Sequence, residues 1–248
     1  LAMTTDALEG RCTMLMRLKE NVDSLVLHAV GLALDTIRVD GTPRVAVIDT
    51  ARETFTILLG STRFAGETLQ IAVSYRRLQN YRRPSSRLGY YFFQDTIGLP
   101  ANLGYTFSEP SDARFWFPCY DEPWEKATAE IHLTVPTGYV AASNGRLLGT
   151  TNNGDGTFTW HWRQDQPIAT YLMCMTVSRF SVATIPYVKV TGDTIPLQYY
   201  AWNAPPFVDS VWTAGFLPTV GAMIGAFEAR YGAYPFDKYG MTAIVPFG

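Results

Sequence analysis

The chain has 248 residues, with 20 basic and 22 acidic side chains and a formal net charge of −2. A near-neutral chain has no global basic field, which argues against a dedicated nucleic-acid binder. Hydrophobic residues make up 47% and charged residues 17%, which excludes intrinsic disorder. No apolar run approaches the ~18 residues that a membrane-spanning helix needs.

Most of the chain reads as strands. Val45–Ile48 and Thr54–Leu59 are the first of these. Thr68–Tyr75 alternates strictly, with Leu69, Ile71, Val73 and Tyr75 on one face, the period of a half-buried strand. Ile131–Val135 sets Ile131, Leu133 and Val135 against His132 and Thr134, and Pro136 and Gly138 stop it. The turn residues Asn153-Gly154-Asp155-Gly156 precede a strand over Thr157–Trp162, which predicts a hairpin. Phe158, Trp160 and Trp162 share one face of that strand. Tyr171–Val177 and Ile195–Trp202 follow as strands. Many short strands with regular turn signals suggest a β-sandwich.

The pattern changes after Ala204-Pro205-Pro206, where a domain boundary is expected. Val208, Trp212, Phe216, Val220, Ile224, Phe227 and Tyr231 recur every three or four residues, the stripe of an amphipathic helix. Asp209 or Ser210 caps it, Pro218 kinks or divides it, and Gly232 stops it. Met241–Val245 reads as a closing strand. One local charge run, Arg76, Arg77, Arg82, Arg83 and Arg87 with Tyr75 and Tyr81, reads as a solvated loop rather than a nucleic-acid surface.

Few residues carry obvious chemistry. Cys12, Cys119 and Cys174 are odd in number and form no CxxC pair, so three reduced thiols are expected, with one disulfide as the alternative in an exported protein. A Cys nucleophile at Cys119 is the weaker reading. His28, His132 and His161 are far apart in sequence and offer no HExxH helix, so they read as surface or hydrogen-bonded histidines. The dense segment is 105–128, "YTFSEPSDARFWFPCYDEPWEKAT", with aromatics, prolines and charges of both signs. Arg114 suits a two-pronged bond to a carboxylate, and Asp121 is the natural partner. Glu109 stands just before a proline, ahead of the part that such a network would pin. It either faces a substrate cleft or pairs with an arginine.

The stretch "SEPSDARFWFPCYDEPWEKAT" closely resembles the hallmark of the aminopeptidase N family of zinc metallopeptidases, the gluzincins that include leukotriene hydrolase. That hallmark has the form "QxEPxDARxxFPCxDEPxxKAT". The resemblance continues in "VPTGYVAASNGRL" (Val135–Leu147), "PIATYLMCMTVSRF" (Pro167–Phe180) and "YGAYPFDKYGMTAIVPFG" (Tyr231–Gly248). Gly66–Tyr75 and "GYYFF" (Gly89–Phe93) fit more loosely.

The resemblance implies a mainly β fold. A large, saddle-shaped antiparallel β-sandwich domain (1–204) would be followed by a short α+β segment (205–248) opening a truncated thermolysin-like catalytic domain. It further implies an N-terminal fragment of a zinc-dependent metallo-aminopeptidase, inactive alone. The single zinc ion, the GxMEN motif and the HExxH helix would belong to the missing catalytic part, with no catalytic or metal residue in this chain. The partners implied are the amino terminus of a peptide substrate and the protein's own catalytic domain, with no nucleic acid and no membrane span. Glu109 matches the family's Glu that binds the free substrate amine. Phe107 stands where the family often has the Gln that shapes the first side-chain pocket, so both are substrate-binding candidates. A non-catalytic scaffold or protein-interaction module on the same fold is the alternative. An unrelated sandwich using Trp160 and Trp162 to bind carbohydrate is a third reading.

Overall fold

The computed structural model describes residues 7–78, 89–94, 101–202 and 210–244, with side chains omitted at 210–214. The expected boundary at Pro205-Pro206, the cap at Asp209, residues Val208, Trp212 and Val245, and Tyr81, Arg82, Arg83 and Arg87 lie outside the described residues or side chains. The described chain is mainly β, in several antiparallel sheets, and falls into two units. The first unit holds the described residues of Leu1–Tyr91, Thr106–Ala127 and Ile168–Cys174. The second holds those of Phe92–Tyr105, Thr128–Pro167 and Met175–Gly248.

The first unit is a two-layer sandwich. One sheet has the order β1-β7-β3-β4, from Glu9–Arg17, Thr68–Arg77, Leu32–Val39 and Thr42–Pro43. The other has the order β2-β6-β5, from Val22–His28, Thr54–Arg63 and Ala46–Asp49. Strand β7 is paired on both sides, Leu69 facing Met16 and Ile71 facing both Met14 and Val39. The expected alternation holds, since Leu69, Ile71, Val73 and Tyr75 are buried. Leu69, Ile71 and Val73 join Ile37 and Val39 from their own sheet and Leu25, Leu27, Phe55, Ile57 and Leu59 from the other in one core. Burying one such aliphatic or aromatic side chain contributes roughly 1.5–3 kcal/mol, which is why the period-two pattern fixes the register.

In the second unit, β10 (Lys126–Pro136), β13 (Thr157–Ala169) and β12 (Arg146–Asn152) form a sheet in the order β10-β13-β12. The predicted hairpin is β12–β13, where Asn152 faces Phe158 and the Asp155 carboxylate accepts from the Thr157 amide and hydroxyl. A further sheet, only part of which lies in this unit, has the order β11-β14-β9-β8, from Val140–Ser143, Met175–Ser178, Leu103–Phe107 and Gly89–Phe93. The expected strand over Tyr171–Val177 is shorter than read. Thr170–Leu172 is a 3-10 turn closed by the Met173 amide on the Thr170 carbonyl, and extended pairing starts only at Met175. Trp162 is buried, and its indole N–H donates to the Ala141 carbonyl at 3.0 Å. It is therefore a core residue and not a sugar-stacking platform.

The third sheet of this unit is β15-β16-β17, from Ser181–Val188, Thr194–Ala201 and Tyr239–Thr242, with β17 parallel to β16. Helix α1 (Ser210–Tyr231) packs on it, and Leu217, Val220 and Ile224 share a core with Ile195 and Leu197. Pro218 lies inside this helix without dividing it. The Thr219 hydroxyl donates to the Gly215 carbonyl, and Leu217 and Val220 bury the flanking turns, so tertiary packing offsets the lost amide. Gly232 ends the helix with φ of 92° and its amide on the Glu228 carbonyl, as expected of a C-terminal glycine.

The buried stripe departs from the sequence reading in the last turns. It runs Leu217, Val220, Ile224, Glu228, while Phe227 and Tyr231 are exposed and stack on each other. The residue facing the sheet after Ile224 is a carboxylate because donors converge there. The Tyr187 hydroxyl lies 2.7 Å away, the Val190 amide 3.2 Å and the Tyr234 amide 2.9 Å. These donors outweigh the unfavourable place of an anion in a last helical turn. The Tyr187 hydrogen bond, then the Tyr234 and Val190 amides and Lys189, hold the Glu228 carboxyl below the ordinary carboxylate range against the opposing effect of burial. A depressed carboxyl stabilises the fold above its unfolded-state value, and that stability is lost as pH falls through its folded-state value. The Glu228→Gln protein is therefore expected to be less stable than the parent at pH 7. The two urea midpoints should converge in acid, once pH has fallen below the ordinary glutamate range and through the depressed folded-state value. A gap that is constant with pH would show that the charge contributes nothing.

Candidate functional site

The site is built on the segment that follows β9, all within the first unit. Strand β9 ends at Phe107, which is 41% exposed, and the next residue, Ser108, is buried. The chain then turns outward, with Glu109 and Pro110 exposed and joined by a cis peptide bond. The Asp112 amide closes the turn on the Ser108 carbonyl at 2.8 Å, and a 3-10 turn over Ala113–Phe115 follows. Glu109 is thus presented at the tip of a five-residue turn whose two ends, Ser108 and Asp112, are both buried. Among the described residues its carboxylate makes no hydrogen bond or ion pair, so the alternative of an arginine partner finds none there.

The base of the turn is locked by charge. Arg114 donates through Nε to Asp121 Oδ2 at 3.0 Å, and its backbone amide reaches the same oxygen at 3.2 Å. Its guanidinium also reaches the Asp121 carbonyl and Glu53 Oε2, each at 3.2 Å. The expected pairing is present, but not as two parallel nitrogen–oxygen bonds, because one carboxylate oxygen takes both Arg114 contacts. The other, Oδ1, accepts from the Thr170 hydroxyl at 2.8 Å. Asp121 is 1% exposed. A charge so buried is tolerable only when its lone pairs are met by donors, as they are here.

His28 completes the lock. Its backbone pairs with Cys119 in both directions, and its Nδ1 accepts from the Asp121 amide at 3.1 Å. Burial, and then the nearby Arg114 cation, hold its pKa below the ordinary histidine value against Asp121, Glu122 and Glu53. A neutral ring with Nδ1 as acceptor and Nε2–H as donor fits that bond. The partners Glu53, His28 and Thr170 were missed in the sequence because they lie 61, 93 and 49 residues from the groups they meet. No local pattern encodes contacts of that separation.

The three cysteines form no disulfide. Burial above all, then the Asp121 charge, raise the Cys119 thiol well above its ordinary value, and burial pushes Cys12 up to about 12. A nucleophilic cysteine requires the opposite shift.

A profile described as the Peptidase M1 N-terminal domain matches residues 1–172. Aminopeptidase M1 of Arabidopsis thaliana is 36% identical over 163 residues, which are 63% of this chain and 17% of that protein. Glutamyl aminopeptidase of Homo sapiens is 40% identical over 145 residues, 58% of this chain and 14% of that protein. An M1 zinc metallopeptidase from Deinococcus radiodurans superposes with a TM-score of 0.81 at 23% identity, over 96% of this chain and 52% of that one. That likeness establishes the fold. The chain spans less than a fifth of the length of these curated relatives and about half of that of the solved structure. With the profile covering more than half of the residues, the chain belongs to the Peptidase M1 N-terminal domain family.

Proposed function

We propose that this chain is the substrate-gating N-terminal part of a zinc-dependent metallo-aminopeptidase, with Glu109 holding the free ammonium group of the peptide. The observation that carries the reading is an exposed carboxylate at the tip of a turn whose base is locked by Arg114, Asp121 and His28. A carboxylate fixed in this way measures the distance from the substrate amine to the first peptide bond, and that distance is what separates an aminopeptidase from an endopeptidase. Phe107, two residues earlier on the same exposed edge, would line the first side-chain subsite. The 248 residues contain no HExxH motif. Zinc would therefore be held by residues outside them, where it would polarise the scissile carbonyl and activate water. Residues from 205 onward would open the catalytic part, with α1 as its first helix.

The test uses this chain together with its natural downstream sequence. The expected result is zinc-dependent hydrolysis of aminoacyl-anilides but not of their N-acetylated forms. Glu109→Ala should lower kcat/KM roughly 10–100-fold, as loss of one charge-assisted hydrogen bond does. A protein that takes up no zinc and leaves the anilides intact would favour the second reading, a non-catalytic scaffold on the same fold. Phe107, an aromatic where the family often has Gln, is the feature that favours it.

A further inference from the structure

Two of the three histidines of this chain come together in the fold. His132 on β10 and His161 on β13 meet with ring centroids 3.9 Å apart and planes 21° from parallel. Glu130 joins them from two residues earlier on β10, and its Oε2 lies 3.4 Å from His161 Nε2. Three contacts step along this strand pair in opposite directions, as antiparallel neighbours do. They are Thr134 with Thr159 at 2.8 Å, His132 with His161, and Glu130 with Arg163 at 3.8 Å. The two histidines therefore sit opposite each other on one face, with the carboxylate diagonal to His161.

We infer that Glu130, His132 and His161 form a binding site for a divalent transition-metal ion of the zinc class. Two imidazoles and one carboxylate are a donor set that zinc, nickel and copper ions take. One ligand atom from each residue lies within 4.8 Å of the other two. Bonds of 2.0–2.2 Å in tetrahedral geometry place neighbouring donor atoms ~3.4 Å apart. The Glu130–His161 pair already has that spacing, and His132 offers a ring nitrogen within 4.8 Å of both. A second observation points the same way. His161 Nε2 is shut off from solvent and makes no hydrogen bond, although it lies beside a carboxylate. An ion between the two would satisfy both. Glu130 has its other oxygen, Oε1, towards Arg163, whose Nε is held more closely by Asp165 at 2.6 Å, so one carboxylate oxygen stays available. Three protein ligands leave at least one coordination position open to water or to a donor from another molecule. The ion would also tie β10 to β13 across their shared face.

The site is testable on the 248-residue chain itself, tag-free and stripped of metal with a chelator. Titration with zinc sulfate, followed by calorimetry, is expected to show one equivalent bound. His132→Ala and His161→Ala should each weaken binding by more than the roughly 10–100-fold typical of losing an outer-shell partner. Glu130→Gln should weaken it less. A readout on the parent protein needs no variant: adding nickel chloride should broaden the ring proton signals of His132 and His161 in the NMR spectrum while those of His28 persist. Absence of binding, binding that survives both alanine substitutions, or broadening centred on His28 would each overturn the site.

Discussion

Replacing Asp121 with Ala is expected to remove about 3–5 kcal/mol of folding stability, the cost of leaving a buried charge without its partner. The substitution leaves Arg114, whose side chain is 12% exposed, with Glu53 as its remaining carboxylate. It also strands the Arg114 amide and the Thr170 hydroxyl, both of which now donate to Asp121. A loss of this size is about a fifth or more of the stability of an ordinary domain, and lowers Tm by on the order of 10 °C. Asp121→Asn keeps an acceptor for these donors while removing the charge, and its loss should fall between the parent and Asp121→Ala. The comparison that makes the measurement informative is the Lys19–Glu125 ion pair, also in the first unit but exposed. Solvent screens such a pair, so Glu125→Ala should leave the urea midpoint unchanged within error. Equal effects at the two sites would mean that Asp121 stabilises through nothing but surface charge.

The contrast between these pairs also explains what the sequence could and could not reveal. Arg114 and Asp121 are seven residues apart inside one dense segment, and their chemistry alone suggested a partnership. The strands that were legible, such as β7 and β10, alternate because one face is buried. Strand β12 was legible only through the turn that follows it, because all seven of its residues are exposed and nothing forces a period upon them. The helix pattern was right for Val220 and Ile224 and wrong for Phe227 and Tyr231, because an apolar stripe cannot announce that three hydrogen-bond donors wait at position 228. The meeting of His132 and His161 was hidden for a different reason. It depends on the register of two strands whose residues are 29 positions apart, and each histidine taken alone looks like an ordinary surface residue. The outward place of Glu109 was read from a motif, and the structure adds the fixed turn beneath it.

That turn rests on a glycine, and Gly89→Ala is expected to be the other large loss. Gly89 has φ of 65°, a left-handed conformation that costs an ordinary L-residue roughly 1–2 kcal/mol. A Cβ there would also lie 2.1 Å from the Asp112 carbonyl oxygen and 2.9 Å from Phe115 Cβ. Neither atom is the free end of a flexible side chain, so backbone must move, at a further cost of about 1–3 kcal/mol. Gly66 separates the two contributions. It has φ of 89° but nothing within 4 Å of an added Cβ, so Gly66→Ala bears the conformational cost alone. Unfolding midpoints should therefore fall for both variants and further for Gly89→Ala. The excess has a functional counterpart, because the residue displaced is Asp112, whose amide closes the turn that presents Glu109. In an aminopeptidase-competent protein, Gly89→Ala should raise KM for substrates with a free amine, as is expected of Glu109→Ala, while Gly66→Ala should leave KM alone. If the two glycine variants lose equal stability and neither alters KM, the turn yields freely at Asp112, and the position of Glu109 does not depend on the close approach of Gly89.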